Sequence, residues 1–511
     1  MTHSHLDQRI LPETGRLPYA LYRAEQVQRF DHLASGYFGI PERELMERAG
    51  ASAYRFLRQR WPDARHLCVL TGIGNNGGDG YVLARLARGE GCTVDLIQVG
   101  DPQRLQGPAA ESRDAYCAAG GKVDIWSGSL PRGLDLCVDA LFGTGLTRPV
   151  GDPFAAAIAA LNEQQAPILA LDLPSGLHAD TGEVMGIAAR VTATISFIAL
   201  KLGLFVGSGP EYRGEVQFSG LGVPARLYAS EIAAAVRSDW ARASTLLPHR
   251  SPLMHKGDCG HVLIIGGAPG MAGAVRLAGE AALRAGAGLV TIATHPRHAD
   301  WLNLARPELM VQGVMDARDL EPLSARADVI AIGPGLGQDA WGRGLWEKVC
   351  TLAHPLVVDA DALNLLAASP MNGPDWLLTP HPGEAARLLG VSTAEVQRDR
   401  VVAAQTLQAH FGGVIVLKGA GSIVQANPPR RPVVCSQGNP GMATAGMGDV
   451  LTGIIAALRA QGLAAEDAAC AGVCLHAAAG DRAAASGERG LIASDLIAEL
   501  RTLADGQDAV L

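Results

Sequence analysis

"HLCVLTGIGNNGGDGYVLARLARGEG" (66–91) changes character twice within one short span. "HLCVLTG" (66–72) is a buried-type strand, and "GYVLARLARGEG" (80–91) is the helix that follows it. Between them, "TGIGNNGGDG" (71–80) supplies glycines that let backbone approach a ligand, ahead of a helix N-terminus with free donors and partial positive charge. The run is not in the Gly-x-Gly-x-x-Gly register and lacks the lysine of a P-loop. The plain alternative is a tight strand-to-helix turn capped by Asn and Asp. About one domain further on, Gly446-Met447-Gly448-Asp449 repeats the device. Each loop suits holding phosphate beside a carboxylate, so two nucleotide-handling sites in one polypeptide are expected.

Outward from 66–91, strand and helix alternate. A helical pattern begins at Ala24 after a lead-in containing Pro12 and Pro18, and "PERELMERAGASAYRFL" (41–57) is an amphipathic helix. Further strands are "TVDLIQVG" (93–100), "LDLCVDALFGTGL" (134–146) and "PILALDLPSG" (167–176). No strand signal falls between Val223 and Pro252. The domain junction is placed there, dividing 1–234 from 235–511. A second series then runs through "HVLIIGG" (261–267), the helix "MAGAVRLAGEAALRAG" (271–286), "LVTIAT" (289–294), "DVIAIGPGLG" (328–337), "PLVVDADALNLLA" (355–367), "WLLTPHPGEAARLLG" (376–390) and "GVIVLKGAGSIV" (413–424). A final helical region runs from about Gly448 to the end. Such alternation predicts parallel sheets covered on both faces: an α/β chain of two three-layer α/β/α domains. The 511 residues agree with two domains, since a single core rarely grows past roughly 250–300 residues.

Composition removes several classes. A net charge of -8 argues against nucleic acid as the main partner. No apolar run reaches the roughly 18–20 residues of a membrane span, and Met1 to Arg9 lack a signal-peptide pattern. The nine cysteines show no Cys-x-x-Cys and no zinc spacing, so reduced thiols in a cytoplasmic protein are expected.

In the first half, Asp139 and Asp172 each end a strand, before "ALFGTGL" and "LPSG" respectively. Strand ends line one edge of a doubly wound sheet, so these loops and 71–80 should meet. Two carboxylates and Asn76 offer hard oxygen ligands to a cation, or one carboxylate carries a proton; alone, either Asp is as readily a cap. Lys201 sits in an apolar run and either reaches the surface at a strand edge or lends its charge to the pocket. In the second half, Gly446 to Asp449 opens a helix whose buried stripe is Val450, Leu451, Ile454, Ile455 and Leu458. Asp449 is placed to take a proton from a hydroxyl beside a phosphoryl group. Lys418-Gly419-Ala420-Gly421-Ser422 suits the phosphates or sugar of an adenine nucleotide. Asp359 and Asp361 serve magnesium or cap a helix, and His381 in "TPHPGE" is either structural or catalytic.

In order and spacing, "NNGGDG", "VDALFGTGL", "DLPSG", "HKGDCGHVLIIGG", "GPGLG", "DADALN", "TPHPGE", "KGAGS" and "NPGMATAGMGDVLTG" resemble the bifunctional NAD(P)H-hydrate repair family, from about Ala24 to Ala504. The resemblance implies a Rossmann-like epimerase domain fused to a ribokinase-like, ADP-dependent dehydratase domain. It implies as substrates NADHX and NADPHX, hydrated at C6 of the reduced ring. It implies that Asn75, Asn76, Gly77, Gly78 and Asp79, the loop Gly143, Thr144, Gly145, Leu146, Thr147, Arg148 and Pro149, and Asp172 contact the hydrate. Asn76, Asp139 and Ser175 would hold a potassium ion. Asp172 would handle the proton of epimerisation, with Lys201 as helper. In the second domain Lys418 to Ser422 and Gly448 would bind the nucleotide, ADP or ATP with Mg2+. Gly335, His381 and Asp449 would contact the hydrate. Met447 departs mildly from ribokinase relatives, which often carry a small residue there; only main-chain donors are needed from it. A homo-oligomer is expected. The rivals are a ribokinase-like kinase of vitamin precursors with an accessory nucleotide-binding domain, and a nucleotide-sensing regulator without catalysis.

Overall fold

Strand His66–Thr71 is built as read, but its helix starts at Asn75 rather than Gly80 in the computed structural model, which describes residues 17–247 and 249–505. The glycine-acid run is therefore the first turns of the helix, with Gly74 as an N-cap that no side chain bonds. Crowding by itself requires glycine at positions 77 and 78. A Cβ on Gly77 would stand 2.3 Å from the Gly72 carbonyl oxygen, and one on Gly78 would stand 2.4 Å from Met46 Sδ. Gly77→Ala should therefore destabilise the protein by about 1–3 kcal/mol, through overpacking against immovable backbone. The loss should appear as a lower urea midpoint.

The chain divides into two compact units, Met1–Val236 and Arg237–Leu511. In the first, seven strands run parallel in the spatial order Val123–Ile125, Thr93–Gln98, His66–Thr71, Leu136–Ala140, Ile168–Leu171, Ala193–Phe197, Glu215–Ser219. Alternation along the central strand makes the layers. Leu67 and Val69 join one core with the helices Glu42–Arg60 and Asn75–Gly89, while Cys68 and Leu70 join another with Phe154–Asn162. Chain order reverses between His66–Thr71 and Leu136–Ala140, which opens a crevice at their C-terminal ends.

The second unit carries seven parallel strands in the order Met310–Gly313, Leu289–Thr294, His261–Gly266, Val329–Ile332, Leu356–Val358, Trp376–Leu378, Val414–Leu417. Ile423–Gln425 and Val433–Cys435 continue it antiparallel. The stretch 413–424 is thus a hairpin, with Lys418 to Ser422 as its turn. Helices Ala272–Arg284, Met447–Ala460, Ala465–Ala483 and Ala493–Ala504 share one core with Val262 and Ile264. Met447–Ala460 is buried from Val450 through Leu458 without a gap, not along one stripe, because it lies between two neighbouring helices and the sheet. Gly453 allows this: a Cβ there would meet the Ala278 carbonyl oxygen at 2.0 Å.

The stretch 223–252, expected to lack strands, contains Ala235–Ser238, whose Ala235 and Val236 pair antiparallel with Leu21 and Ala20 of the lead-in. Strands of three or four residues are too short to show a period. Pro12 of the lead-in lies outside the described residues. Among the described residues no helix is long and apolar enough to cross a membrane.

Candidate active sites

Asp172 follows strand Ile168–Leu171 with φ of 66°, in the left-handed region. Ile198 (φ 60°) and Leu221 (φ 50°) adopt the same region and line the same cavity. For a β-branched residue such as Ile198 that conformation costs energy, and strain of this kind gathers at functional sites. The Asp172 carboxylate accepts from Lys201 Nζ and from the Phe197 N–H at 3.2 Å. Lys201 does not reach the surface. It is 1% exposed, and its ammonium also donates to the Phe197 carbonyl (2.8 Å) and Ser196 Oγ (3.2 Å).

This pair lies in a cavity of about 540 Å³ whose wall includes Asn75, Asn76, Asp79 and Gly143 to Leu146. Thr147, Arg148 and Pro149 are exposed and are not part of that wall, nor are Gly77 and Gly78. The wall also includes residues that the sequence reading does not name, among them Asp31 from helix Ala24–Gly36. Burial pushes its carboxyl up to about 6, with Lys201 pulling it down and Asp172 pushing it up. Burial raises Asp79 well above the carboxylate range, and Asp172 and Asp31 add to the shift. An aspartate inside a helical pattern gives no local sign of such a position.

Beside the cavity, Asp139 is fully buried and accepts from Ser175 N–H (2.8 Å), Ser175 Oγ (2.6 Å) and Leu141 N–H (3.3 Å). Ser175 Oγ in turn accepts from the Phe142 N–H at 2.9 Å. Asn76 Nδ2 donates to the Phe142 carbonyl at 3.0 Å, which leaves Asn76 Oδ1 buried without a partner. An orphaned oxygen close to carbonyl, hydroxyl and carboxylate oxygens is a hard donor set, and it fits an alkali cation such as potassium.

In the second unit Asp359 ends strand Leu356–Val358. One of its oxygens accepts from Lys418 Nζ (2.6 Å) and Thr379 Oγ1 (2.8 Å), the other from Thr452 Oγ1 (2.9 Å). It therefore makes no side-chain cap to the helix that follows. Ala360, next in the chain, has φ of 48°. Lys418 Nζ also lies 3.7 Å from Glu384. Burial lowers the Lys418 pKa, but Asp359 and Glu384 more than compensate and hold it above its ordinary value. A Cβ on Gly448 would stand 3.4 Å from Lys418 Nζ and 3.6 Å from Asp359 Oδ2, so this ion pair sits at the start of helix Met447–Ala460. Gly446, with φ of 88°, caps that helix. Asp449 lies in its first turn, and burial followed by the charge of Asp359 pushes its carboxyl up to about 7 against the pull of Lys418.

His381 is half-exposed and caps helix Pro382–Leu389. Its Nδ1 accepts from the N–H groups of Gly383 (3.0 Å) and Glu384 (3.3 Å), while Glu384 accepts from the His381 N–H (2.7 Å). Burial, then Lys418, lowers the imidazole pKa. Gly335 is buried with φ of 55°, its carbonyl accepting from the Ala268 N–H at 2.7 Å. Asp361 accepts from the Gly337 N–H (2.9 Å) and Gln338 (3.2 Å), so it braces the "GPGLG" turn. Gly419 and Ala420 are exposed at the hairpin tip, Gly421 is buried, and Ser422 Oγ closes the turn onto the Gly419 carbonyl at 2.9 Å. Arg400, also unforeseen, is 2% exposed beneath this turn and donates to the carbonyls of Leu417 (3.2 Å) and Lys418 (3.1 Å).

Two doubly wound domains, each with an acid–lysine pair at its strand ends, define a two-site α/β enzyme of nucleotide chemistry. Residues 42–203 match the family model described as YjeF-related protein N-terminus, and residues 262–502 match that of NAD(P)H-hydrate dehydratase. The chain is 47% identical to the bifunctional NAD(P)H-hydrate repair enzyme Nnr of Coxiella burnetii, over 94% of this chain and 99% of that one. It is 46% identical to the protein of the same name from Escherichia coli, over 95% and 94%. A ribokinase-like superfamily protein of Enterococcus faecalis, known by crystal structure, is similar at 29% identity and a TM-score of 0.50, over 53% of this chain and 95% of that one. The chain belongs to the bifunctional NAD(P)H-hydrate repair enzymes.

Proposed function

We propose that the two sites divide one repair task on hydrated nicotinamide cofactors. Domain 1–234 interconverts the R and S epimers of NADHX and NADPHX. Domain 235–511 dehydrates the S epimer with ADP, giving NAD(P)H, AMP and phosphate. The observation that carries this reading is a proton-handling carboxyl beside a lysine in each domain: Asp172 with the buried Lys201, and Asp449 near the partly buried Lys418.

Hydroxide is a poor leaving group, and phosphorylation makes the C6 oxygen a good one. Asp449 takes the hydroxyl proton as that oxygen attacks the terminal phosphorus of ADP. The bond to AMP breaks, and main-chain N–H groups of the Gly446–Gly448 turn hold the transferring oxygens. The ring nitrogen then expels phosphate, and loss of a proton from C5 to solvent leaves the dihydropyridine ring of NAD(P)H. Lys418, anchored by Asp359, brings positive charge to the same place. The exposed backbone of Gly419 and Ala420 offers the nucleotide a docking edge, and Gly335 and His381 border the hydrate. The adenine nucleotide, ADP or ATP, is the co-substrate and would carry Mg2+. A potassium ion held by Asn76 Oδ1, Asp139 and Ser175 would supply positive charge beside the Gly143–Leu146 loop.

The test is hydrated NADH given ADP, ATP or neither, with recovery of NADH absorbance as the readout. Stable phosphorylated hydroxymethylpyrimidine or pyridoxal would instead favour the vitamin-precursor kinase. A second expectation concerns the cation. Asn76→Ala should raise the potassium concentration for half-maximal epimerisation by roughly tenfold or more, read from a salt titration. The nine free cysteines support a cytoplasmic setting. Assembly as a homo-oligomer is part of the same proposal and is read by light scattering.

A further inference from the structure

We propose that Asp31 is the second proton carrier of the first active site, serving the ring nitrogen of the hydrated cofactor while Asp172 serves its C6 hydroxyl. This rests on the epimerase reading above. The Asp31 carboxyl lines the cavity that Asp172, Lys201 and Asp79 share, and it comes from a helix that carries none of the glycine motifs. Among the described residues, no hydrogen-bond donor reaches it.

The chemistry demands two carriers. NAD(P)HX is a carbinolamine at C6. The O–H proton leaves as the C6–N1 bond breaks, its electron pair going to N1, which takes a proton; C6 becomes an aldehyde carbon. Rotation about C5–C6 presents the other carbonyl face. N1 then gives up its proton, the C6–N1 bond re-forms, and the oxygen regains a proton. No atom or electron is gained or lost. One carrier must begin ionised and the other protonated. Asp172 accepts from an ammonium and an N–H, which suits the acceptor. Asp31 is of the other kind: burial holds its proton, Lys201 opposes this and Asp172 reinforces it, for a value of about 6. The remaining ionisable groups around the cavity are His32, Glu42 and Asp79, and Asp79 is the competitor for the role.

The full-length chain is given R-NADHX without ADP, and formation of the S epimer is followed by chromatography. Rates are normalised to dehydration of S-NADHX with ADP by the other domain. Asp31→Asn is expected to slow epimerisation by about 100-fold, and Asp31→Glu to stay within about tenfold of the parent. In the parent the rate should fall as pH rises past about 6, and Asp31→Asn should lose that limb. The proposal is overturned if Asp31→Asn stays within about threefold of the parent, if Asp79→Asn alone reproduces the loss, or if Asn and Glu at position 31 are equally inactive. A parent chain that cannot interconvert the epimers sinks the epimerase reading itself, and this inference with it.

Discussion

Asp172→Asn should lower epimerisation by about 10³-fold, because the amide keeps the carboxylate's shape and cannot accept the proton. Dehydration, which occurs in the other domain, should keep its rate. The same change strips Lys201 of its counter-charge. Lys201 is 1% exposed and keeps only neutral acceptors: the amide oxygen, a hydroxyl and a carbonyl. Breaking a buried pair by removing one member costs about 3–5 kcal/mol, so the single variant should also unfold at lower urea. Asp172→Asn combined with Lys201→Met separates the two effects. The double variant should regain most of the stability, since no charge is left buried alone, and none of the activity. Epimerisation is read without ADP, and stability by urea unfolding. If the double variant regains epimerisation, Asp172 acts only as a partner of Lys201.

Asp449→Asn should reduce dehydration by about 10²–10⁴-fold, with epimerisation as the control. The pH profile carries the sharper expectation. Burial and the Asp359 charge push the Asp449 carboxyl up to about 7. A base works only when ionised, so dehydration should rise with pH through about 7 and fall roughly tenfold per unit below it. The variant should lose this limb. An acid limb well below this value in the parent would mean that another group takes the proton.

Much of the architecture was legible because the central strands are buried on both faces. His66–Thr71 and Leu289–Thr294 read as mostly apolar runs with glycine at one end, and each falls within a residue of its reading. Ala20–Tyr22 and Ala235–Ser238 were not legible, since so few residues carry no period and their pairing joins segments far apart in sequence. The site divides in the same way. Asp172, Asp139 and Asp449 stand at strand or helix ends beside glycines, which is a local signature. Asp31 and Arg400 sit in ordinary helices and matter only through what folds against them. Gly77 and Gly78 carry a second demand that the motif does not show, since a Cβ at either would meet Gly72 or Met46.

Read without coordinates, the chain already specifies two doubly wound domains, the strand ends that carry acids, and the family to which the motifs point. All of these follow from neighbours in sequence: burial pattern, turn glycines and helix starts. Folding adds the partners. Lys201 meets Asp172 across 29 residues and Lys418 meets Asp359 across 59, and a carboxyl on the first long helix joins the first cavity. Protonation states depend on burial and on charge at a few ångströms, and those distances exist only once remote segments have packed.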